Sequence, residues 1–135
     1  MTTDELTAAL HACAAGLYPL EAGVALLIAE GTFLRRGDFT TRFIEHGTSS
    51  GTAMAAIDWD GAITALHAGE LPCSGGERRL LKLSASLAGG IPVDLRDTAT
   101  GLDDRNIQRL VIAILHASGK RPEPGGLFRR SSSPR

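Results

Sequence analysis

Residues 19–31 read PLEAGVALLIAEG, and this stretch decides the fold. Pro19 fits the first turn of a helix, where its missing N–H is not needed, and Gly31 is typical of a residue that ends one. Between them, large apolar residues recur at helical spacing and form one face: Leu20, Val24, Leu27 and Ile28. Leu26 widens this face, so we expect a deeply buried helix over residues 19–30.

Working outward, the apolar periodicity predicts further helices on both sides of this stretch. They cover residues 3–15, 39–46, 59–68, 75–88 and 104–118. The last has the clearest pattern, with a face formed by Ile107, Leu110, Val111, Ile114 and Leu115. Residues 54–57 and 91–95 can pair as a short ribbon, although Pro92 confines its strand to an edge. We predict an all-α fold, a compact bundle of five or six helices that can include one short two-stranded β-ribbon.

Composition supports one helical domain followed by a tail. Apolar residues make up 43% of the chain and aromatic residues only 4%, which favours a core of Leu, Ile, Val and Ala in packed helices. Residues 120–135 hold five basic side chains and one acid, so they carry +4 and residues 1–119 carry −5 of the net charge of −1. We predict a domain at 1–119 and a disordered Pro-, Gly-, Ser- and Arg-rich tail at 120–135.

Several features favour the cytoplasm of a bacterium. Arginine far outnumbers lysine, and alanine and glycine are abundant, as in proteins of GC-rich genomes. Cys13 and Cys73 are too few for a disulfide framework. The acidic start of the chain lacks the basic region of a secretory signal. No apolar run approaches the ~20 residues that span a bilayer, so we expect no membrane partner.

Residues 73–79, CSGGERR, resemble the signature segment of ABC-type ATPases, and residues 100–103, TGLD, resemble the loop that follows their Walker B strand. The resemblance implies that Ser74 and Gly76 approach the phosphates of ATP bound to a partner subunit. The chain departs from the family because Arg96 and Asp97 stand where the Walker B carboxylates belong, and no G-x-x-x-x-G-K-[ST] loop occurs. Alternatively, Ser74 and Glu77 form a capping box that starts a helix.

No other motif indicates chemistry. The four histidines (His11, His46, His67 and His116) show no metal-ligand spacing, and no C-x-x-C occurs. No general acid and base stand out as a pair. We therefore predict no catalytic residue, no metal and no cofactor, and we interpret the chain as not an enzyme.

By elimination, we predict a non-catalytic bacterial interaction or regulatory module that acts through a helical surface. The surface lies on the helices at 75–88 and 104–118 and on the charged turn between them. Its candidate residues are Arg78, Arg79, Lys82, Arg96, Asp97, Asp104, Arg105 and Arg109. The partner is an unidentified protein or a second copy of the chain.

Two alternatives stay open. Residues 19–46 can form a helix-turn-helix of a DNA-associated regulator, helped by the basic tail. The candidate nucleic-acid contacts are Arg35, Arg36, Arg42, Lys120, Arg121, Arg129 and Arg130. The acidic body opposes this function because it repels DNA. The other alternative is a degenerate relative of the ABC signature region.

Overall fold

The computed structural model describes residues 1–120, which form seven helices, one 3₁₀ turn and one two-stranded antiparallel sheet. The elements are α1 (Thr3–Ala14), α2 (Tyr18–Glu30), the 3₁₀ turn (Phe33–Arg35), α3 (Gly37–Phe43), β1 (Ile44–Ser49), β2 (Thr52–Ile57), α4 (Trp59–His67), α5 (Gly75–Gly89), α6 (Leu95–Thr100) and α7 (Asp104–Ala117). The all-α prediction is confirmed in its coarse form: the described chain is mostly helical with one short ribbon. None of the helices in residues 1–120 is long and apolar enough to cross a membrane.

Helix α2 follows the sequence prediction closely. Pro19 stands in its first turn, and Gly31 ends it with a φ of 85°, a left-handed conformation that favours glycine. The helix packs against α1, α5 and α7. Its buried residues belong to two cores, because Val24 and Leu27 join the larger one and Ala22 and Leu26 the smaller one.

The two cores divide the elements between them. The larger core contains buried residues of α1, α3, the hairpin and α4, around the packed rings of Phe33, Phe39 and Phe43. The smaller core contains buried residues of α2, α5 and α7 only. Helices α2 and α5 contribute to both, so their contact joins the two halves of the molecule.

The contact between α2 and α5 depends on small residues. A Cβ atom on Gly23 would lie 2.6 Å from the Cβ of Ala88 and 2.6 Å from the carbonyl oxygen of Ser84. Such distances are well inside van der Waals contact, so only glycine fits at this position. The missing side chain lets the two backbones approach and bury their flanking leucines.

The number of helices and the ribbon partner both need correction. The prediction of five or six helices was wrong, because the charged turn contains α6, a six-residue helix that Asp94 caps by accepting a hydrogen bond from the N–H of Asp97. Residues 91–94 form no strand. Instead β2 pairs with β1, in register from Ile44 opposite Ile57 to Ser49 opposite Thr52.

The hairpin also shortens the predicted helix at 39–46. Helix α3 ends at Phe43, and the chain enters β1 at Ile44. Ser50 and Gly51 both have positive φ, which suits the two-residue turns that match strand twist. The sequence around this turn is rich in Gly, Ser and Thr and predicted only a loop, because most of β1 is exposed and shows no apolar alternation.

We expect Gly23→Ala to lower the free energy of unfolding by about 1–3 kcal/mol, because the added methyl overpacks the α2–α5 contact. Helix propensity alone predicts the opposite sign, since Ala is the better helix former by about 1 kcal/mol. Chemical denaturation measures the difference. Gly76→Ala in the first turn of α5 is the matched control, because no neighbouring atom lies within 4 Å of its added Cβ. A Gly23→Ala protein as stable as the parent would contradict the close approach.

Candidate interaction surface

Helix α7 begins at a side-chain cap and packs through one narrow side. The carboxylate of Asp103 accepts a hydrogen bond from the N–H of Asn106 at 2.8 Å. Leu110 and Ala113 are the two buried residues of the helix, and both belong to the smaller core. Their neighbours in that core are Ala22 and Leu26 of α2 and Leu80 and Leu83 of α5.

Four further apolar residues of α7 form a second side that the fold covers only in part. Ile114 is 45% exposed, and Ile107, Val111 and Leu115 are partly exposed. None of the four belongs to either core within residues 1–120. We call Ile107, Val111, Ile114 and Leu115 the α7 stripe. Of the five residues on the predicted apolar face, only Leu110 is buried in a core.

The physical reason lies in the run at residues 110–115, LVIAIL. At about 100° per residue, six consecutive apolar residues point in every direction around a helix. Periodicity therefore cannot decide which of them meets the core. The small side chain of Ala113 allows α2 to approach α7 closely. The bulkier side chains of the α7 stripe lie outside this contact.

The side of α7 that meets α2 carries a shallow groove. It has a volume of about 140 Å³ and is lined by Ala25 and Ala29 of α2 and by Arg109, Ile112 and His116 of α7, among others. Ile112 is 47% exposed, nearly the same as Ile114. Two residues apart in a helix, Ile112 and Ile114 point in nearly opposite directions. The groove and the α7 stripe are thus separate surfaces of one helix.

The C-terminal end of α7 is fastened to the start of α2. The Nε2 atom of His116 lies 2.7 Å from Oε1 of Glu21, and the N–H of Gly16 donates to Oε2 of Glu21 at 2.7 Å. Tyr18 packs edge-on against the His116 ring, with centroids 5.9 Å apart. The hydrogen bond from Gly16, and after it the one from His116, holds the pKa of Glu21 below its ordinary value.

The charged residues predicted as an interaction surface surround these features without forming one cluster. Arg96 and Asp97 are exposed on α6, and Asp104 and Arg105 are exposed at the start of α7. Three basic residues lie on α5 and one on the groove side of α7: Arg78, Arg79, Lys82 and Arg109. The side chain of Arg79 lies against Gly101, where a Cβ atom would overlap its guanidinium. Their role in binding stays a prediction. The partly exposed α7 stripe is not among the predicted site residues, and the apolar run at 110–115 was the signal for it.

The candidate nucleic-acid contacts are partly engaged within the fold. Arg36 forms an ion pair with Asp38 at 2.6 Å and donates to the carbonyl of Pro72. The Arg36 hydrogen bond lowers the pKa of the Asp38 carboxyl. Arg42 pairs with Glu70 at 3.0 Å and lies over the Phe43 ring.

The other members of that set are exposed or lie outside the described residues. Arg35 and Lys120 are exposed. Arg121, Arg129 and Arg130 lie outside the described residues, as does nearly all of the predicted tail. The helix proposed for DNA recognition spans only Gly37–Phe43 and buries Phe39 and Phe43. Binding of nucleic acid stays a prediction.

The segment that resembles the ATPase signature forms a capping box, as the alternative interpretation predicts. The N–H of Glu77 donates to the hydroxyl of Ser74 at 3.2 Å, and the N–H of Ser74 donates to the Glu77 carboxylate at 2.8 Å. Asp103, in the second part of the resemblance, caps α7. The nucleotide-binding interpretation stays a prediction.

Other places in residues 1–120 offer little organised chemistry. An open cavity of about 630 Å³ lies between the start of α1, the 3₁₀ turn and α3, with Arg35 and His46 among its lining residues. In this part of the chain no three His, Cys, Asp or Glu side chains cluster as metal ligands. Burial raises the pKa of the Cys73 thiol, which disfavours the nucleophilic thiolate.

Comparisons with known proteins leave the chain without a relative to argue from. No family model matches it, and searches among curated proteins and among solved structures each find no match.

We expect Glu21→Gln to destabilise the fold at neutral pH, because the hydrogen bonds from Gly16 and His116 favour the ionised carboxylate. The folded pKa of Glu21 is lowered from 4.5, so its contribution is present above that value and is lost as the pH falls through the lower folded pKa. Urea denaturation of both proteins across the acid range measures this difference. Glu45→Gln on exposed β1 is the control. A difference between parent and Glu21→Gln that persists unchanged in strong acid would contradict the assignment.

We expect Ser74→Ala to lower the free energy of unfolding by about 1 kcal/mol, the usual cost of losing an N-cap hydroxyl. Ser86→Ala in the interior of α5 should show no such loss, because that residue is not a cap. Thermal unfolding with and without magnesium and ATP extends the test. If ATP stabilises the parent and not the Ser74→Ala protein, Ser74 binds nucleotide and is more than a cap.

Proposed function

We propose that this chain is a non-catalytic interaction module and that the α7 stripe is its contact surface for another protein. The observation that carries the proposal is that Ile114 is exposed, and Ile107, Val111 and Leu115 partly exposed, on a helix already anchored on another side. The apolar arc of α7 is wider than its contact with α2 and α5 covers, whereas the apolar face of a helix is ordinarily buried. The fold covers part of α7, so the rest is available to a partner.

The energetics favour such a partner. Burying apolar surface contributes about 25 cal/mol per Å², and contiguous exposed apolar patches in proteins often mark interaction sites. Residues at i, i+4, i+7 and i+8 are the anchors by which one amphipathic helix binds another protein. The α7 stripe has this spacing.

The surroundings of the stripe also fit a binding surface. Interfaces combine an apolar centre with a polar rim, and the exposed charges of Asp104 and Arg105 lie on the same helix. Leu110 and Ala113 hold α7 to the core, and the Glu21–His116 contact fastens its end, so little conformational entropy is lost on binding. We propose that the charged residues of α5 and α6 influence partner choice and that the module acts in a bacterial cytoplasm, where Cys13 and Cys73 stay reduced.

The proposal is tested by placing a photo-cross-linking amino acid at position 114 in the full chain expressed in bacterial cells. We expect a discrete adduct whose second protein is identified by mass spectrometry, and we expect Val111→Asp to abolish it because a carboxylate in the stripe opposes desolvation. The cross-linker at position 112 is the matched control, since that position is equally exposed and points away from the stripe. No adduct at 114, or equal adducts at both positions, would overturn the proposal.

A further inference from the structure

We infer that the partner of the α7 stripe is a second copy of this chain, bound with the two α7 helices antiparallel and the two-fold axis near Val111. This inference rests on the proposed function and specifies its partner. It is argued from the spacing of the stripe, the absence of charge at its centre and the opposite charges at its two ends.

The spacing suits a helix pair. Ile107, Val111 and Ile114 are separated by four and then three residues, the alternation that makes a continuous seam between two packed helices. In an antiparallel pair centred on Val111, the two Val111 side chains face each other. Ile107 of each copy then meets Leu115 and Ile114 of the second copy, so the stripe is self-complementary, as a two-fold interface requires.

The charges at the ends of α7 select the antiparallel orientation. Asp103 and Asp104 stand at its N-terminal end, and Lys120 follows its C-terminal end. In a parallel pair the Asp104 carboxylates would approach each other and repel. In the antiparallel pair each Asp104 lies beside Ser118, near the C-terminal end of the second copy that Lys120 follows, and the antiparallel helix dipoles attract each other.

The centre of the stripe carries no charge to desolvate. Gln108 is the polar residue beside it on the exposed side, whereas Arg105, Arg109 and His116 lie towards the opposite side of the helix. Two copies can therefore approach without burying an unpaired ion, which would cost far more than the apolar contacts contribute.

The size of the surface sets the expected strength. Helix α7 has 14 residues and is therefore about 21 Å long. A contact through one such helix is smaller than the ~800 Å² per partner of standard stable interfaces. We therefore expect a reversible dimer with a Kd on the order of micromolar.

Sedimentation velocity of the full chain over a concentration series tests the inference. We expect the parent to pass from monomer to dimer with increasing concentration. Ile114→Asp should raise the dimer Kd at least about tenfold, and the matched control Ile112→Asp should leave it within about twofold. Ile114→Gln serves as a milder second variant, and circular dichroism checks that each variant is folded.

A charge exchange tests the orientation at low salt. Asp104→Lys and Lys120→Asp should each weaken the dimer, because each creates like charges across the antiparallel pair. The double variant should recover the parent Kd to within a few-fold, since it restores opposite charges with their positions exchanged. Failure of the double variant to recover would overturn the antiparallel arrangement.

The outcomes separate this inference from the proposed function. A chain that stays monomeric at every concentration overturns the second-copy inference, and an adduct of a different protein at position 114 then leaves the proposed function standing. Monomer together with no adduct at 114 overturns both. Dimer formation that is lost with Ile112→Asp and kept with Ile114→Asp assigns the contact to the α2–α7 groove and overturns the inference.

Discussion

The absence of a side chain at Gly23 is the constraint on which the rest of the structure depends. Because the backbones of α2 and α5 meet at this position, each helix can place residues in both cores: Val24 and Leu27 of α2 in one, and Ala22 and Leu26 in the other. A larger residue would separate the two helices, and both cores would lose packing together. The α2–α5 pair therefore acts as the frame to which α1, the hairpin and α7 are attached.

The position of α7 follows from this frame. Helix α2 already packs against α1 and α5, so it meets α7 with its remaining side, where Ala22 lies opposite the small Ala113. The Glu21–His116 contact and the Tyr18 ring fix the end of α7 to the start of α2. Helix α5 covers only part of the side of α7 that faces away from α2. The α7 stripe therefore stays partly exposed as a geometric consequence of how α2 and α5 pack.

Local chemistry could be predicted from the sequence, and the pairing of distant segments could not. The capping box of Ser74 and Glu77 and the ends of α2 at Pro19 and Gly31 follow from residues within one turn, and both are confirmed. The hairpin was missed because its first strand is exposed and shows no apolar alternation. Helix α6 was missed because its six residues are mostly polar and show no apolar face. The Asp94 cap and the buried Thr98 hold this helix in position. At the candidate site, the charged residues were identified by type, but their separation onto different sides of α5, α6 and α7 depends on tertiary packing.

The partial burial of α7 bears directly on function. Apolar periodicity indicates that one side of a helix is buried. It does not distinguish burial in the core of the same chain from burial against another protein. In α7 the two requirements overlap, because Leu110 and Ala113 serve the core while the α7 stripe occupies the neighbouring arc of the helix. The helix with the clearest apolar pattern in the sequence is thus one that the fold covers only in part. Helix α7 carries more apolar residues at helical spacing than the core buries. This excess is the physical reason to look for a partner at α7 before any other part of the surface.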